Sequence, residues 1–374
     1  MAKRYTDEEI TEAVKLHGGK DNAARALNMD ARGLRRRIKR MALNGYSPDH
    51  DMTHTVPDGF KVRGVSSLYN KEGILSAQWV KSSADDERRQ EMFEESCKAA
   101  VKELPQIKKR LAKGEHISNL MTVYPIGDPH FGEYIWGEET GNDWDLAIAE
   151  KLHCSAMAAL VESAPATETA LVINLGDAAH YDSMAAVTPR SGHHLDADSR
   201  YAKMIDVLII AMRQVVESAL TKHKKVHMVH VIGNHDETGA VWLSRLFSHM
   251  YAKEPRVTVE TSPSVFSYYR WGNNLIGMHH GHTSKMDRLP GVMATDRAKD
   301  WGETLHRVWY TGHIHHESKK EFPGCVVESF NTLAPGDSYA HAGGWRSRQN
   351  MKAIVLHSEH GEVARQMVHP AMLK

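Results

Sequence analysis

Val226-His227-Met228-Val229-His230-Val231-Ile232 runs directly into Gly233-Asn234-His235-Asp236. A stretch dominated by apolar and β-branched residues reads as a strand, and the glycine that follows lets the backbone turn sharply. The residues delivered beyond that turn, Asn, His and Asp, are chemistry-bearing types. Working outward, the same grammar recurs four times. Met121–Ile126 ends in Gly127-Asp128-Pro129-His130, and Ala170–Leu175 ends in Gly176-Asp177. Leu275–Met278 ends in His279-His280-Gly281-His282, and Val308–Tyr310 ends in Thr311-Gly312-His313-Ile314-His315-His316. Each polar cluster follows the C-terminal end of an apolar strand, where open α/β sheets place their ligand sites.

The residue types narrow the chemistry. Asp, His and Asn are hard or borderline oxygen and nitrogen ligands, and no thiolate stands among them. Such a set suits a divalent ion, with manganese as the first expectation and iron, zinc, nickel or magnesium as alternatives. Two ions about 3.5–4 Å apart can clamp the attacking and leaving oxygens of an in-line displacement at phosphorus. Cys97, Cys154 and Cys325 are scattered, with no Cys-x-x-Cys pair, which excludes a cysteine-based zinc site and fits a reducing compartment.

The ordered series Asp-x-His, Gly-Asp, Gly-Asn-His-Asp, His-Gly-His and Gly-His-x-His resembles the calcineurin-like metallophosphoesterases, over residues 120–370. The resemblance implies an α/β fold, a four-layer α/β/β/α sandwich. Carried over by position, it makes Asp128, His130 and His315 ligands of one metal, Asn234, His280 and His313 ligands of the other, and Asp177 the bridging carboxylate. It makes His235 the general acid for the leaving oxygen, with metal-bound hydroxide as the nucleophile. Asp236, adjacent in sequence, is expected to orient that imidazole, as carboxylates beside catalytic histidines do.

Other assignments stay open. His279, His280 and His282 compete in the fourth motif; His280 is preferred because it begins the His-Gly-His unit, and His282 is kept as a substrate or supporting residue. Many relatives carry an acidic residue where this chain has Ala178-Ala179-His180-Tyr181-Asp182, so His180 either meets substrate or holds the loop. Arg190, in Thr188–His194, could contact phosphate. Arg346 and Arg348 lie in the Gly-rich loop Gly343-Gly344-Trp345-Arg346-Ser347-Arg348, whose indole suits stacking on a base. For both loops a solvated turn competes equally. The remaining histidines among the 25, such as His153, His223, His227, His249 and His360, read as ordinary core or surface residues.

The charge is divided. The chain of 374 residues has 47 Lys+Arg and 47 Asp+Glu, but residues 1–44 hold eleven basic and six acidic residues, leaving +5 there and −5 on the rest. Thr6-Asp7-Glu8-Glu9 has the form of a capping box and starts a first helix. Gly18-Gly19 ends it, a short second helix carries Ala23, Ala24 and Leu27, and Asp30 caps a third. Leu34, Ile38 and Met41 form the buried stripe of that third helix, and Arg32, Arg35, Arg36, Lys39 and Arg40 occupy its other faces. The pattern resembles Fis-type and homeodomain-like helix-turn-helix domains, which implies DNA as a partner.

Three domains are therefore expected: 1–44 as a DNA-binding head, 45–118 as linker, β-hairpin and connector helix, and 119–374 as the phosphoesterase body. The combination resembles the SbcD-like nuclease branch and phage-type proteins, and implies a DNA nuclease or phosphodiesterase. Two alternatives stand: a phosphomonoesterase or small-nucleotide phosphodiesterase tethered to DNA, and a DNA-binding regulator with a vestigial enzyme domain. No apolar run is longer than Val207–Met212, which is far short of the roughly 20 residues a membrane span needs. With no apolar segment after Met1-Ala2-Lys3-Arg4, no secretory signal is expected, and the reading is cytoplasmic, within a host cell if phage-encoded. No heptad or interface stripe supports a homo-oligomer.

Overall fold

The computed structural model describes residues 5–43, 56, 60–70, 75–84, 88, 91 and 115–373. The chain divides into two compact units, Met1–Ala99 and Ala100–Lys374.

In the first unit, three helices form where capping and apolar spacing place them: α1 (Asp7–Leu16), α2 (Lys20–Ala26) and α3 (Ala31–Leu43). Thr6 and Glu9 exchange both capping-box hydrogen bonds at the start of α1. Asp30 caps α3 by accepting the Gly33 N–H at 2.7 Å. The apolar faces close on one another through Ile10, Ala13, Val14, Ala23, Ala24, Leu34, Ile38 and Met41. Arg32, Arg35, Arg36, Lys39 and Arg40 are all exposed. A guanidinium nitrogen of Arg35 is held by both Asp21 oxygens at 2.8 and 2.6 Å. The hairpin is β1 (Phe60–Tyr69) against β2 (Leu75–Ala84), antiparallel, with Val65 opposite Val80. β2 extends two residues into the segment read as the connector helix 83–113. Nearly all the rest of that connector, and most of the 44–64 linker, lie outside the described residues.

The second unit contains two sheets. The first has the order β13-β12-β3-β4-β5-β6. Its strands are β3 (Ile117–Ile126), β4 (Thr167–Asn174), β5 (Lys225–His230), β6 (Val257–Val259), β12 (Met351–His357) and β13 (Gly361–Val368). β3 to β6 are parallel, and β12 joins β3 antiparallel. The second has the order β10-β11-β9-β8-β7. It comprises β7 (Ser267–Trp271), β8 (Asn274–Met278), β9 (His306–Thr311), β10 (Ser318–Phe322) and β11 (Cys325–Ser329). β8, β9 and β11 are parallel, while β7 and β10 are antiparallel edges.

Alternation explains the layering. Leu171, Ile173 and Leu175 on and after β4 meet Ile276, Met278 and Tyr310 of the other sheet in one buried cluster. The intervening Ala170 and Val172 are also buried, because both faces of the strand are covered; this is why the parallel strands read as nearly continuous apolar runs. Helices Leu146–Ser163 and Tyr201–Leu220 pack together and against the first sheet. Helix Leu289–Asp296 covers the outer face of the second through Leu289 and Met293 against Leu275, Trp309 and Val327. The result is the expected α/β/β/α sandwich. Among the described residues no helix is long and apolar enough to cross a membrane.

Candidate metal centre

Parallel strands in each sheet deliver their C-terminal turns to one end, so the turns after β3, β4, β5, β8 and β9 converge. The backbone there is unusual. Asp128 (φ 43°), His130 (φ 44°), Asp177 (φ 52°), His313 (φ 70°) and His315 (φ 52°) all adopt the left-handed region. Among the described residues only Asn28 and Ser199 otherwise do so without being glycine. Such conformations persist only where surrounding contacts over-determine them, and they cluster at functional sites. Those contacts are visible. The His313 N–H donates to both Asp128 oxygens at 2.9 and 3.0 Å, and the Thr332 hydroxyl donates to the Asp128 carbonyl at 2.6 Å. Gly176, at φ +100°, passes so close to His280 that a Cβ would stand 2.6 Å from the imidazole Nδ1.

The expected ligands fall into two groups whose donor atoms lie within 4.8 Å of one another: Asp128, His130 and His315, and Asp177, His280 and His313. His130 Nε2 and His315 Nε2 face each other at 3.1 Å, and His315 Nε2 lies 3.4 Å from Asp128 Oδ1. His280 Nε2 lies 3.0 Å from Asp177 Oδ2, 3.1 Å from Asn234 Oδ1 and 3.9 Å from Asp128 Oδ1. The Asp177 carboxylate also accepts the His235 N–H at 2.8 Å.

Charge follows geometry. Burial alone would lower His280, but Asp177 and then Asp128 outweigh it and lift the imidazole to about 10. His315 is lifted to about 9 in the same way, against burial, by Asp128. Asp177 is held well below the ordinary carboxylate value, against the effect of burial, by His280. His130 and His313 are lowered, chiefly by burial and then by neighbouring imidazoles.

The fourth motif is resolved by partners. His279 is engaged locally, its Nε2 with the Thr283 hydroxyl at 2.9 Å and its Nδ1 accepting the Gly281 N–H at 2.9 Å. His280 Nδ1 donates to the Leu175 carbonyl at 2.8 Å and aims Nε2 at the carboxylates. His282 lies with its ring centroid 5.3 Å from that of His280, and both its buried nitrogens lack a protein partner. A half-buried imidazole whose two nitrogens are both buried and without a partner among the described residues is costly unless a ligand or ion meets it. Together with the oxygen and nitrogen character of the donor set, this fits a pair of divalent cations.

One expectation is corrected. Asp236 does not orient His235. Its carboxylate accepts the backbone N–H groups of Gly233 (3.2 Å), Asp177 (3.1 Å), Ala178 (2.8 Å) and Ala179 (3.3 Å), stapling two ligand turns together. Burial and then the charge of Asp177 raise its carboxyl to about 8, while the Ala179 N–H pulls the other way. The His235 Nδ1 instead donates to the carbonyl of His180 at 2.8 Å. Arg190 pairs with Glu237 and remains largely exposed.

His180 is buried against the site: its Nδ1 is 3.2 Å from His130 Nδ1, and its ring stacks on His235 with centroids 5.5 Å apart. A cavity of about 830 Å³ opens over the centre, lined by His130, Asp177, His180, Asn234, His235, His313 and His315 and also by Tyr339, Trp345, Arg346 and Arg348. Arg346 is tied to the carbonyls of His341 (3.2 Å) and Trp345 (3.0 Å), whereas Arg348 lines the cavity with no carboxylate partner among the described residues. Sequence reasoning missed Glu133. It lines the cavity at 4 % exposure with Oε2 unpartnered, and burial pushes its carboxyl up to about 8. A lone glutamate in a loop carries no sequence signal; only its position does.

No protein-family model and no curated protein matches the chain. Among solved structures, a predicted phosphoesterase from Streptococcus pneumoniae aligns over 68% of this chain and 99% of its own, at 10% identity and a TM-score of 0.29. An archaeal phosphodiesterase aligns over 66% and 100%, at 12% identity and a TM-score of 0.33. A dimetal phosphatase from Danio rerio aligns over 67% and 98%, at 9% identity and a TM-score of 0.36. At these values the likenesses carry no weight for the chemistry, which rests on the residues themselves.

Proposed function

We propose that the body is a dinuclear-metal-dependent phosphodiesterase and that its substrate is DNA. The observation that carries the reading is the pair of donor clusters, Asp128–His130–His315 and Asp177–His280–His313, at one wall of a cavity that His235 also lines. Asn234 lines the same cavity and adds an oxygen donor 3.1 Å from His280 Nε2. Divalent ions held there would supply Lewis acidity to phosphoryl oxygens and make water more acidic.

The chain's own residues do the rest. Asp177 fixes the backbone of His235 through its N–H, and the His180 carbonyl fixes the ring through Nδ1. A nitrogen that bonds a carbonyl must carry hydrogen, so Nε2 is the atom that can gain a proton and give it to a leaving oxygen. His180, stacked on that ring, keeps it in one orientation. The wall's positive balance when ions are bound suits a phosphate.

DNA is favoured over a small ester by the trihelical head, where Arg32, Arg36, Lys39 and Arg40 are exposed along α3 of a segment that carries +5. The test is hydrolysis of bis-p-nitrophenyl phosphate and of single- and double-stranded DNA in Mn, Mg, Zn and Ni. Model diester cleavage with all DNA left intact would sink the nuclease reading and favour the tethered small-ester enzyme. In His235→Ala, metal content should persist while turnover falls by roughly 10²–10⁴-fold. Equal loss of both would make His235 a ligand rather than the acid.

A further inference from the structure

The part of the cavity lining formed by Tyr339, Trp345 and Arg348 is unused by phosphoester chemistry. It belongs to the connection between β11 and β12, which is pinned at its base. Thr332 bonds the Asp128 carbonyl at 2.6 Å and accepts the Ala334 N–H at 2.9 Å, so this wall is fastened to a ligand turn. At the other end, Gln349 donates to the Leu333 carbonyl at 2.8 Å and Asn350 to Asn331 Oδ1 at 2.9 Å. Gly344, at φ +73°, adopts a backbone that side chains rarely take and reverses the chain. The Trp345 N–H then donates to the Ala340 carbonyl at 3.0 Å, which brings the indole over Gly343, where a Cβ would stand 3.2 Å from the ring. Tyr339 meets the indole edge-on, with centroids 5.3 Å apart at 67°.

The indole is thus positioned by its own loop and still 58 % exposed, with Tyr339 at 72 %. Two large aromatics fixed against each other and left in water at a cavity wall do nothing for the core. They are suited to a flat partner entering the cavity. Arg348 lines the same cavity as a cation without a carboxylate partner among the described residues.

We propose that this wall is a base-binding subsite. The Trp345 indole, backed by Tyr339, stacks on the base of an unpaired nucleotide whose phosphate lies at the metal-ligand wall, and Arg348 meets a neighbouring phosphate. The proposal rests on the nucleic-acid reading above and sharpens it. A base offers its face to an indole only when splayed from its stack, so the substrate enters as a single strand or a frayed end.

The test uses the full chain with Mn and a 5′-fluorescein-labelled tetrathymidylate, compared by anisotropy with an abasic strand of equal length and charge. Contacts to phosphate elsewhere on the protein act on both strands and cancel in the ratio. Wild type should bind the base-bearing strand roughly 5- to 150-fold more tightly, the span of one base–aromatic stack. Trp345→Ala should bring the ratio near one without weakening abasic binding, Trp345→Phe should restore most of it, and Arg348→Ala should weaken both strands alike. A wild-type ratio of one, or a ratio unchanged in Trp345→Ala, overturns the subsite. Because binding is read whether or not the ester is cut, a failure of the hydrolysis assay remains distinguishable from a failure here.

Discussion

Replacing Gly233 by alanine tests whether the strand-end glycines exist to let the ligand turns touch. Its φ lies outside the left-handed region, so the backbone itself accepts alanine and the effect is one of space alone. A Cβ at Gly233 would stand 2.0 Å from Asp177 Oδ1, 2.3 Å from the Asp177 backbone nitrogen and 2.7 Å from Asp236 Oδ1. The carboxylates could rotate away, but the backbone nitrogen cannot. Relief therefore separates the β4 and β5 turns, and Asp177 loses its register with the His235 N–H and with His280. Overpacking of this kind costs about 1–3 kcal/mol, and a domain of this size melts about 2–4 °C lower per kcal/mol. Displacement of a carboxylate that lies 3.0 Å from His280 Nε2 and belongs to the donor cluster of His280 and His313 should lower metal affinity by at least about 10–100-fold, the loss seen when the supports of a metal ligand are disturbed. Calorimetric Mn titration beside a thermal melt reads both. Gly291→Ala is the control: nothing lies within 4 Å of its added Cβ on the exposed face of helix Leu289–Asp296, so it should be neutral or slightly stabilising. If Gly233→Ala melts with the wild type and binds two equivalents of Mn unchanged, the close-approach argument is wrong.

Three further outcomes follow from the same geometry. In metal-free protein His280 titrates at about 10 and His315 at about 9, so at neutral pH each holds a proton that an arriving cation must expel. Mn affinity should therefore rise with pH from 6.5 to 8.5, by up to about a hundredfold per unit for two protons, and calorimetry in buffers of different ionisation enthalpy should count proton release; pH-independent binding contradicts this. Asp236→Ala strands four backbone N–H donors and should cost at least about 3 kcal/mol in a denaturant titration; a variant with normal stability and reduced turnover would return Asp236 to the imidazole. Replacing Arg32, Arg36, Lys39 and Arg40 together by alanine should flatten the salt dependence of DNA binding by a slope of about 3–4 and leave bis-p-nitrophenyl phosphate hydrolysis unchanged; an unaltered slope means α3 does not meet phosphate.

What the residues determine on their own is local. An apolar run of three to seven residues with a glycine close to its end and Asp, Asn or His beyond it states both that a strand ends and that a ligand-type side chain follows. That reading needs no partner, so the five turns after β3, β4, β5, β8 and β9 were legible one by one. The capping box of α1 was legible for the same reason, since Thr6 and Glu9 are three residues apart. The pairing of strands into two sheets was not, because order and register depend on contacts across a hundred residues or more.

The tertiary structure decided every choice that turns on an angstrom. Three histidines in four residues are equivalent in sequence, and only the Leu175 carbonyl, the Thr283 hydroxyl and the unpartnered, buried nitrogens of His282 tell them apart. Asp236 sits beside His235 in the chain, yet its carboxylate points to the turn after β4, because four unsatisfied N–H groups compete for it more strongly than one imidazole. Glu133 and the Tyr339–Trp345 wall acquire meaning only from the cavity they share with residues far away in the chain. Sequence specifies which donors a turn offers; the folded chain specifies which of them share a cavity, since hydrogen bonding and burial are set by distance in space and not by spacing along the backbone.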